Sequence, residues 1–405
     1  MSPPRPVAQD QWHHQTKSVG TEGETMSRRN SLKMVGTLTA LCALAAGVTA
    51  TASTASAEGD KSRDVVQSGL NDLVGQGFPA ALAAVHGRDG RNRNYTAGVG
   101  DVETNAKVPV DGQVRIGSNT KTFTAVAVLQ LVGEGKIDLA APIEKYLPNL
   151  LRGQGIDGRN ITVHQLLQHT SGLPDYTDTL GADIAEFQHT YLDARTLIDR
   201  ALAKPATSVP GTAFSYSNTN YIVAGLLLEK VTGRPVMEVI TNRVIKPADL
   251  HHTYYPPVGE ERIRERHAKG YDRATGDKPL RDVDEIDGSW AGAAGQMVST
   301  PTDVNAFFSA LLGGKLLLPA QLAQMRTTVE ATGQLPGERY GLGLSSTPMK
   351  CGGLMWGHGG DIFGYHSVNG ATDDGRGAAL AVTALPKSLE EVVGTVHVIE
   401  DALCK

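Results

Sequence analysis

A long, mostly apolar run at residues 123–132, closed by Gly133 and Gly135, constrains this chain more than any other feature. It is longer than an ordinary strand and ends on glycines, so it reads as a buried helix. Immediately before it stands Gly117-Ser118-Asn119-Thr120-Lys121-Thr122, which places Ser118 at the helix's amino end. Ser118 and Lys121 are three residues apart and share one face within a turn. A serine hydroxyl is a poor nucleophile until a neighbour removes its proton. A lysine that is partly desolvated and set at the positive end of a helix has its pKa lowered, and can take that proton near neutral pH. The plain structural alternative is an N-cap serine with an exposed lysine one turn on. S-x-x-K is short enough to arise by chance. It occurs once in this chain, and its meaning rests on what accompanies it.

The flanking pattern predicts the architecture. Residues 64–75 read as an amphipathic helix, and residues 80–86 and 92–99 as two strands of a hairpin around the Gly87–Gly90 turn. Residues 137–285 read as mostly helical, with turns at 153–158, 171–174 and Pro210-Gly211 and a helix start capped by Thr162. Thr300 caps a helix over 303–312. Strand character returns at 340–344, 366–371 and 378–384, and a last helix covers 389–403. Strands at both ends around a helical middle predict an α/β fold, an antiparallel sheet flanked by helices with an inserted helical subdomain.

Residues 26–57 carry the order of a secretion signal: Arg28-Arg29 and Lys33, an apolar run to Val48, then Ala55-Ser56-Ala57 before Glu58. The paired arginines leave both the general and the twin-arginine export routes open. Residues 1–57 are therefore assigned as extension and signal, and residues 58–405 as one catalytic domain, secreted and without a membrane anchor. The part after residue 57 holds 33 Lys/Arg against 40 Asp/Glu, a net charge of −7, with no basic block interleaved with aromatics. Nucleic acid is excluded as a partner on that ground. Twelve histidines include no H-E-x-x-H and no Cys/His cluster at zinc spacing, so neither metal nor other cofactor is expected. Cys351 and Cys404 remain once the signal is removed, and two cysteines in an oxidising compartment are expected to pair.

Two further motifs bear on Ser118. Phe214-Ser215-Tyr216-Ser217-Asn218 precedes an apolar helix. A phenol beside a lysine can pass protons between nucleophile and leaving group, and Asn218 can hold a substrate amide and the lysine. In isolation the stretch is equally a turn whose asparagine caps the next helix. Ser367-Val368-Asn369 also fits S-x-N but follows the third motif and lies in a strand, and it is discounted. The third motif is Trp356-Gly357-His358-Gly359-Gly360-Asp361, where glycines on a strand imply close approach to the backbone. The expectation is an oxyanion held by the N–H groups of Ser118 and of a residue after His358, with the imidazole supplying adjustable positive charge.

In this order and spacing the three motifs resemble the serine penicillin-recognising hydrolases, and within them class C β-lactamases and secreted D-alanyl-D-alanine carboxypeptidases of Streptomyces type. The resemblance covers about residues 62–405 and takes in 115–121, Gln168-His169-Thr170-Ser171-Gly172-Leu173, 216–221 and Tyr340-Gly341-Leu342-Gly343-Leu344. It implies a β-lactamase/transpeptidase-like fold and an acyl-enzyme on Ser118. It implies Lys121 as base, Tyr216 as proton relay and His358 as electrostatic member. Asn218, Trp290, Gly359, Gly360 and Asp361 are then the substrate-binding candidates, and His169 is structural.

The match breaks at the pocket. Carboxypeptidases of this type read H-T-G-T at the third motif and place an arginine after G-L-G-L, where this chain has Gly359, Asp361 and Ser345. Two hydroxyls and a guanidinium that grip a terminal carboxylate are replaced, and Asp361 adds repulsion. Arg339 and Lys350 are the candidate substitute cations. The expected function is a secreted serine hydrolase acting on peptide or amide bonds, most like a D-alanyl-D-alanine carboxypeptidase, with peptidoglycan fragments or β-lactams among its ligands. An esterase or D-aminopeptidase of the same superfamily is the alternative. A non-hydrolytic peptidoglycan-fragment binding protein is the alternative of another class.

Overall fold

The computed structural model describes residues 64–181, 183–273 and 280–405; the signal assigned to residues 26–57 lies outside them. Ten strands form the central sheet: β1 (Ala80–His86), β2 (Asn92–Asp101), β3 (Ala106–Lys107), β4 (Val329–Glu330), β5 (Arg339–Tyr340), β6 (Ser345–Pro348), β7 (Leu354–Gly357), β8 (Gly360–Ile362), β9 (Tyr365–Ala371) and β10 (Gly377–Val382). Their order is β4-β5-β6-β7-β9-β10-β1-β2-β3, with β8 pairing to β9, and each pairing is antiparallel. The five longest helices among the described residues are α1 (Val65–Gly75), α2 (Thr120–Gly133), α3 (Thr219–Thr232), α4 (Pro301–Leu312) and α5 (Leu389–Leu403). The predicted α/β layering, an antiparallel sheet flanked by helices, is what the chain forms.

Alternation along β1 sorts side chains to two cores. Ala80 and Leu82 join the large core that holds α2, α3 and α4. Ala81, Ala83 and Val85 face a smaller core made with Val66, Leu70 and Leu73 of α1 and Val398, Ile399 and Leu403 of α5. Asp64 caps α1, Ser388 caps α5 and Thr300 caps α4, each side chain accepting from a first-turn N–H. Thr162 forms a capping box with Gln165 ahead of the short helix Val163–Leu167. Helix α2 is buried on every side from Thr120 to Leu129, and Phe123 stacks on Phe307 of α4 at 3.7 Å. A helix buried on every face sits at the centre of a domain.

Two expectations need correction. The middle of the chain is less helical than predicted: besides α3 it holds the short helices Val163–Leu167, Ala194–Leu202 and Val236–Ile240, with single turns, and Arg152–Gly153 and Ile156–Asp157 pair as a small hairpin. Side chains rather than ladders secure these loops, as where Thr219 Oγ1 donates to Pro174 O at 2.7 Å and Tyr176 Oη to Trp290 O at 2.6 Å. The strand expected at 340–344 ends at Tyr340. Gly343 takes φ +74°, and a Cβ there would lie 2.6 Å from Ala125 Cβ, so the turn presses directly on α2.

Cys351 and Cys404 are joined, as expected of the pair, tying the end of α5 to the turn before β7. The link closes a loop of 53 residues, worth about 4 kcal/mol on the chain-entropy account. The double variant Cys351→Ser/Cys404→Ser is expected to lose roughly that much stability. Denaturant titration of the two proteins measures the difference.

Candidate active site

Ser118 sits in the single 3₁₀ turn Gly117–Asn119 that leads into α2, and Lys121 follows in the first turn of the helix. Lys121 Nζ is fully buried and has three partners: Ser118 Oγ at 2.8 Å, Asn218 Oδ1 at 2.7 Å and Ala294 O at 2.9 Å. Two of these, an amide oxygen and a carbonyl, can only accept. When Lys121 is neutral its two hydrogens therefore go to Asn218 and Ala294, and the lone pair is left facing the Ser118 hydroxyl. Burial lowers the Lys121 pKa to about 7, with the nearby Asp175 and Asp361 carboxylates pulling the other way.

Asn218 begins α3 without capping it. Its Nδ2 and backbone N donate to Asp175 Oδ2 at 2.8 and 3.0 Å. A carboxylate on one side of the amide and an ammonium on the other allow only one orientation, with Oδ1 toward Lys121. Asp175 is half-buried, and its desolvation raises its pKa; this residue was not identified from the sequence. It directly follows the Ser171-Gly172-Leu173-Pro174 turn, which read only as a loop.

Tyr216 shares the cavity with Ser118, and burial raises its pKa well above the ordinary phenol value, with Ser118 pulling the other way. It stacks on His169, centroids 4.2 Å apart. His169 adopts φ +58°, is fully buried, and accepts on Nδ1 from Ser217 N at 3.1 Å. The structural role expected of His169 is to hold the Tyr216 turn.

His358 departs from expectation. Its Nδ1 meets Gly359 O at 2.5 Å, and a carbonyl can only accept, so Nδ1 carries the proton. Nε2 then accepts from Tyr340 Oη at 2.8 Å. Burial, then the charge of Lys121, lowers the His358 pKa to about 3. The imidazole is neutral at physiological pH and supplies no adjustable positive charge; its place is to fix Tyr340 and the strand end.

The glycines of the third motif also divide. A Cβ on Gly360 would lie 2.1 Å from Ile116 O, and one on Gly357 would lie 2.4 Å from Asn369 O, so protein backbone rather than a ligand makes the close approach. At Gly359 the nearest atom is Ser367 O at 4.0 Å, which leaves open space. Asp361 lies against the Gly117–Asn119 turn, since a Cβ on Gly117 would come within 2.7 Å of Asp361 N. The discounted Ser367 and Asn369 brace this junction: Ser367 Oγ accepts from Asn119 Nδ2 at 3.0 Å, and Asn369 Nδ2 donates to Asn119 Oδ1 and to His358 O.

Ser118, Tyr216, His358, Gly359 and Asp361 line one cavity of about 190 Å³, together with Glu338 and Ser345. Asn218 acts from behind it through Lys121, and Gly360 is buried in packing. Trp290 does not line this cavity; it packs edge-on to Phe187 and Phe363 and presents its carbonyl to Tyr176. Neither proposed substitute cation reaches in, because Arg339 bonds Thr328 and Lys350 pairs with Asp401. Position 345 is held by a carboxylate: Ser345 Oγ donates to Glu338 Oε1 at 2.5 Å, and burial raises the Glu338 pKa. Among the described residues no group of three or more His, Cys, Asp or Glu is set to hold a metal, and no helix is long and apolar enough to cross a membrane.

The Beta-lactamase family profile matches residues 62–399. The chain belongs to the Beta-lactamase family. It is 38% identical to a D-stereospecific amidohydrolase from Streptomyces sp., with a TM-score of 0.75 over 81% of this chain and 96% of that one. D-amino acid amidase from Ochrobactrum anthropi superposes with a TM-score of 0.73 at 26% identity, over 84% and 98%. Penicillin-binding protein 4 of Amycolatopsis lactamdurans is 29% identical over 73% of this chain and 74% of its own length. Protein flp of Staphylococcus aureus is 32% identical over 46% of this chain, and the match spans 36% of its length.

In a Beta-lactamase family site of this geometry, only neutral Lys121 can accept the Ser118 proton. Labelling of Ser118 by a fluorophosphonate is therefore expected to accelerate as pH rises through about 7. Asp175→Asn removes a charge that favours the ammonium form, so the same rise should move to lower pH. Rate-against-pH curves of the two proteins measure the displacement.

Proposed function

We propose that this protein is a serine amidohydrolase that cleaves amides through an acyl-enzyme on Ser118 and prefers substrates without a terminal carboxylate. The mechanism follows from the donor and acceptor inventory. Neutral Lys121 takes the Ser118 proton as Oγ attacks the carbonyl. The oxyanion is received by the N–H groups of Ser118 and Asp361, whose backbone lies against the nucleophile turn. Tyr216 keeps its proton at neutral pH, so it acts as donor to the departing nitrogen and is resupplied from the Lys121 ammonium. Water then enters, gives its proton back along the same path and releases the acid.

The observation that carries the preference is the charge of the cavity wall. Glu338 and Asp361 line it, and no Lys or Arg does. The likeness to a D-stereospecific amidohydrolase and a D-amino acid amidase supports amides of D-amino acids as the acyl donors. The order of signal-like segments before Glu58, with the Cys351–Cys404 disulfide, supports action outside the cell.

A D-alanyl-D-alanine peptide and its C-terminal amide form the decisive pair of substrates. The amide is expected to have the higher kcat/KM by tenfold or more, since one charge-assisted hydrogen bond is worth about 1.5–3 kcal/mol and a factor of ten needs only about 1.4. Preference for the free acid would overturn the specificity. Ser118→Ala should abolish turnover and labelling while leaving the fold intact, and a covalent adduct on that variant would overturn the choice of nucleophile.

A further inference from the structure

The cavity does not end at the catalytic residues. β7 and β9 meet at a single register position, Trp356 opposite Ala371. Beyond it β8 takes over the edge of β9, with Gly360 opposite Ser367. The sheet therefore parts at residues 357–359, and in that gap stands Gly359, the one motif glycine with open space around it. Met355, Val368, Val392 and Val396 line the same cavity as Ser118 and Tyr216. Met355 and Val368 belong to the small core under α5, on the opposite face of the sheet from the core that buries α2. Val392 and Val396 stand on α5 itself.

We propose that this recess is a subsite for an apolar substituent on the leaving amine, so that the preferred substrates are N-substituted amides carrying a branched alkyl or single-ring group there. The inference rests on the amidohydrolase reading. The direction follows from the mechanism: the acyl oxygen is drawn to Ser118 and Asp361 N–H groups, while the nitrogen must face Tyr216, its proton donor. Tyr216, His358 and Gly359 line one cavity with the recess residues. An apolar cavity of about 150 Å³ accommodates benzene, and the whole cavity here is about 190 Å³. A single ring-sized group is therefore the largest substituent the recess takes. Two polar side chains of the cavity wall are already committed, Ser345 to Glu338 and His366 to Asp361 at 2.7 Å and to Thr395 at 3.1 Å. The Cys351–Cys404 bond fixes α5 to the turn before β7, so the two apolar walls are preformed.

The test uses the secreted protein with the primary amide, N-methylamide and N-benzylamide of D-alanine. The benzylamide is expected to exceed the methylamide in kcat/KM by at least tenfold. Val396→Phe, which fills the recess, should cut that ratio at least fivefold. Val392→Ala, which enlarges it, should shift preference toward a naphthylmethylamide. Benzylamine should slow fluorophosphonate labelling of Ser118 at concentrations where methylamine does not, a readout that needs no amide turnover. Turnover of the amides with a ratio unmoved by either folded variant overturns the subsite. Protection by benzylamine with no turnover of any amide overturns the amidohydrolase reading and leaves the subsite standing. If Val396→Phe does not fold, Val392→Ala decides.

Discussion

Burying the amine of Lys121 is the constraint on which the rest of the structure depends. Removing an ammonium from water costs several kcal/mol unless it is paired or gives up its proton. Here the result is an amine that titrates near 7 rather than 10.5, because burial outweighs the pull of two nearby carboxylates. Every neighbour of the site serves that balance. Helix α2 is buried on every side from Thr120 to Leu129, so its own neighbours keep Nζ from solvent. Ala294 and Asn218 provide acceptors that hold two hydrogens without neutralising the charge. Asp175 stands one amide away, close enough to limit the shift and too far to form an ion pair that would abolish it.

The same logic explains the crowding of the nucleophile turn. Ser118 must be held against Lys121 without giving up its hydroxyl to a cap, and the turn is accordingly braced from outside. Gly117 and Gly360 let the two chain segments approach to a distance that no side chain would allow. Asn119, Ser367 and Asn369 then stitch them together with buried hydrogen bonds. A fully satisfied buried network of this kind gives rigidity more than net stability. His358 belongs to this scaffold: with its proton on Nδ1 and Tyr340 on Nε2, it locks the end of β7 beneath the cavity.

What was legible in the sequence follows from how local each signal is. The helix at Ser118, the hairpin of β1 and β2, and the caps at Thr162 and Thr300 are written in neighbouring residues, and the structure has them within a residue or two. The convergence of Ser118, Lys121 and Tyr216 was inferred from motif order and is realised in three dimensions. Asp175 escaped because its importance lies wholly in reaching Asn218 across the fold. The neutrality of His358 escaped for a related reason, since burial and a nearby ammonium are long-range facts. The middle of the chain is less helical than its sequence suggests because its buried side chains, Tyr176 and Ile184 among them, sit in loops and single turns held across the fold.

Asp361 joins specificity to catalysis in one side chain. Its carboxylate stands in the cavity wall, where it opposes an anionic substrate, and its field also raises the pKa of Lys121. Replacing it by threonine, the residue of the carboxypeptidase pattern, would remove both effects together. A terminal carboxylate would meet less repulsion, while the lysine would lose part of what keeps its pKa from falling further. A weaker base is ready at lower pH but less able to hold the serine proton as attack proceeds. His366 on Asp361 Oδ1 is therefore more than a packing contact, because it fixes the position from which that charge acts on both substrate and lysine. A change of substrate class at this site cannot be confined to the pocket: any residue at 361 that alters the charge seen by the substrate alters the base as well.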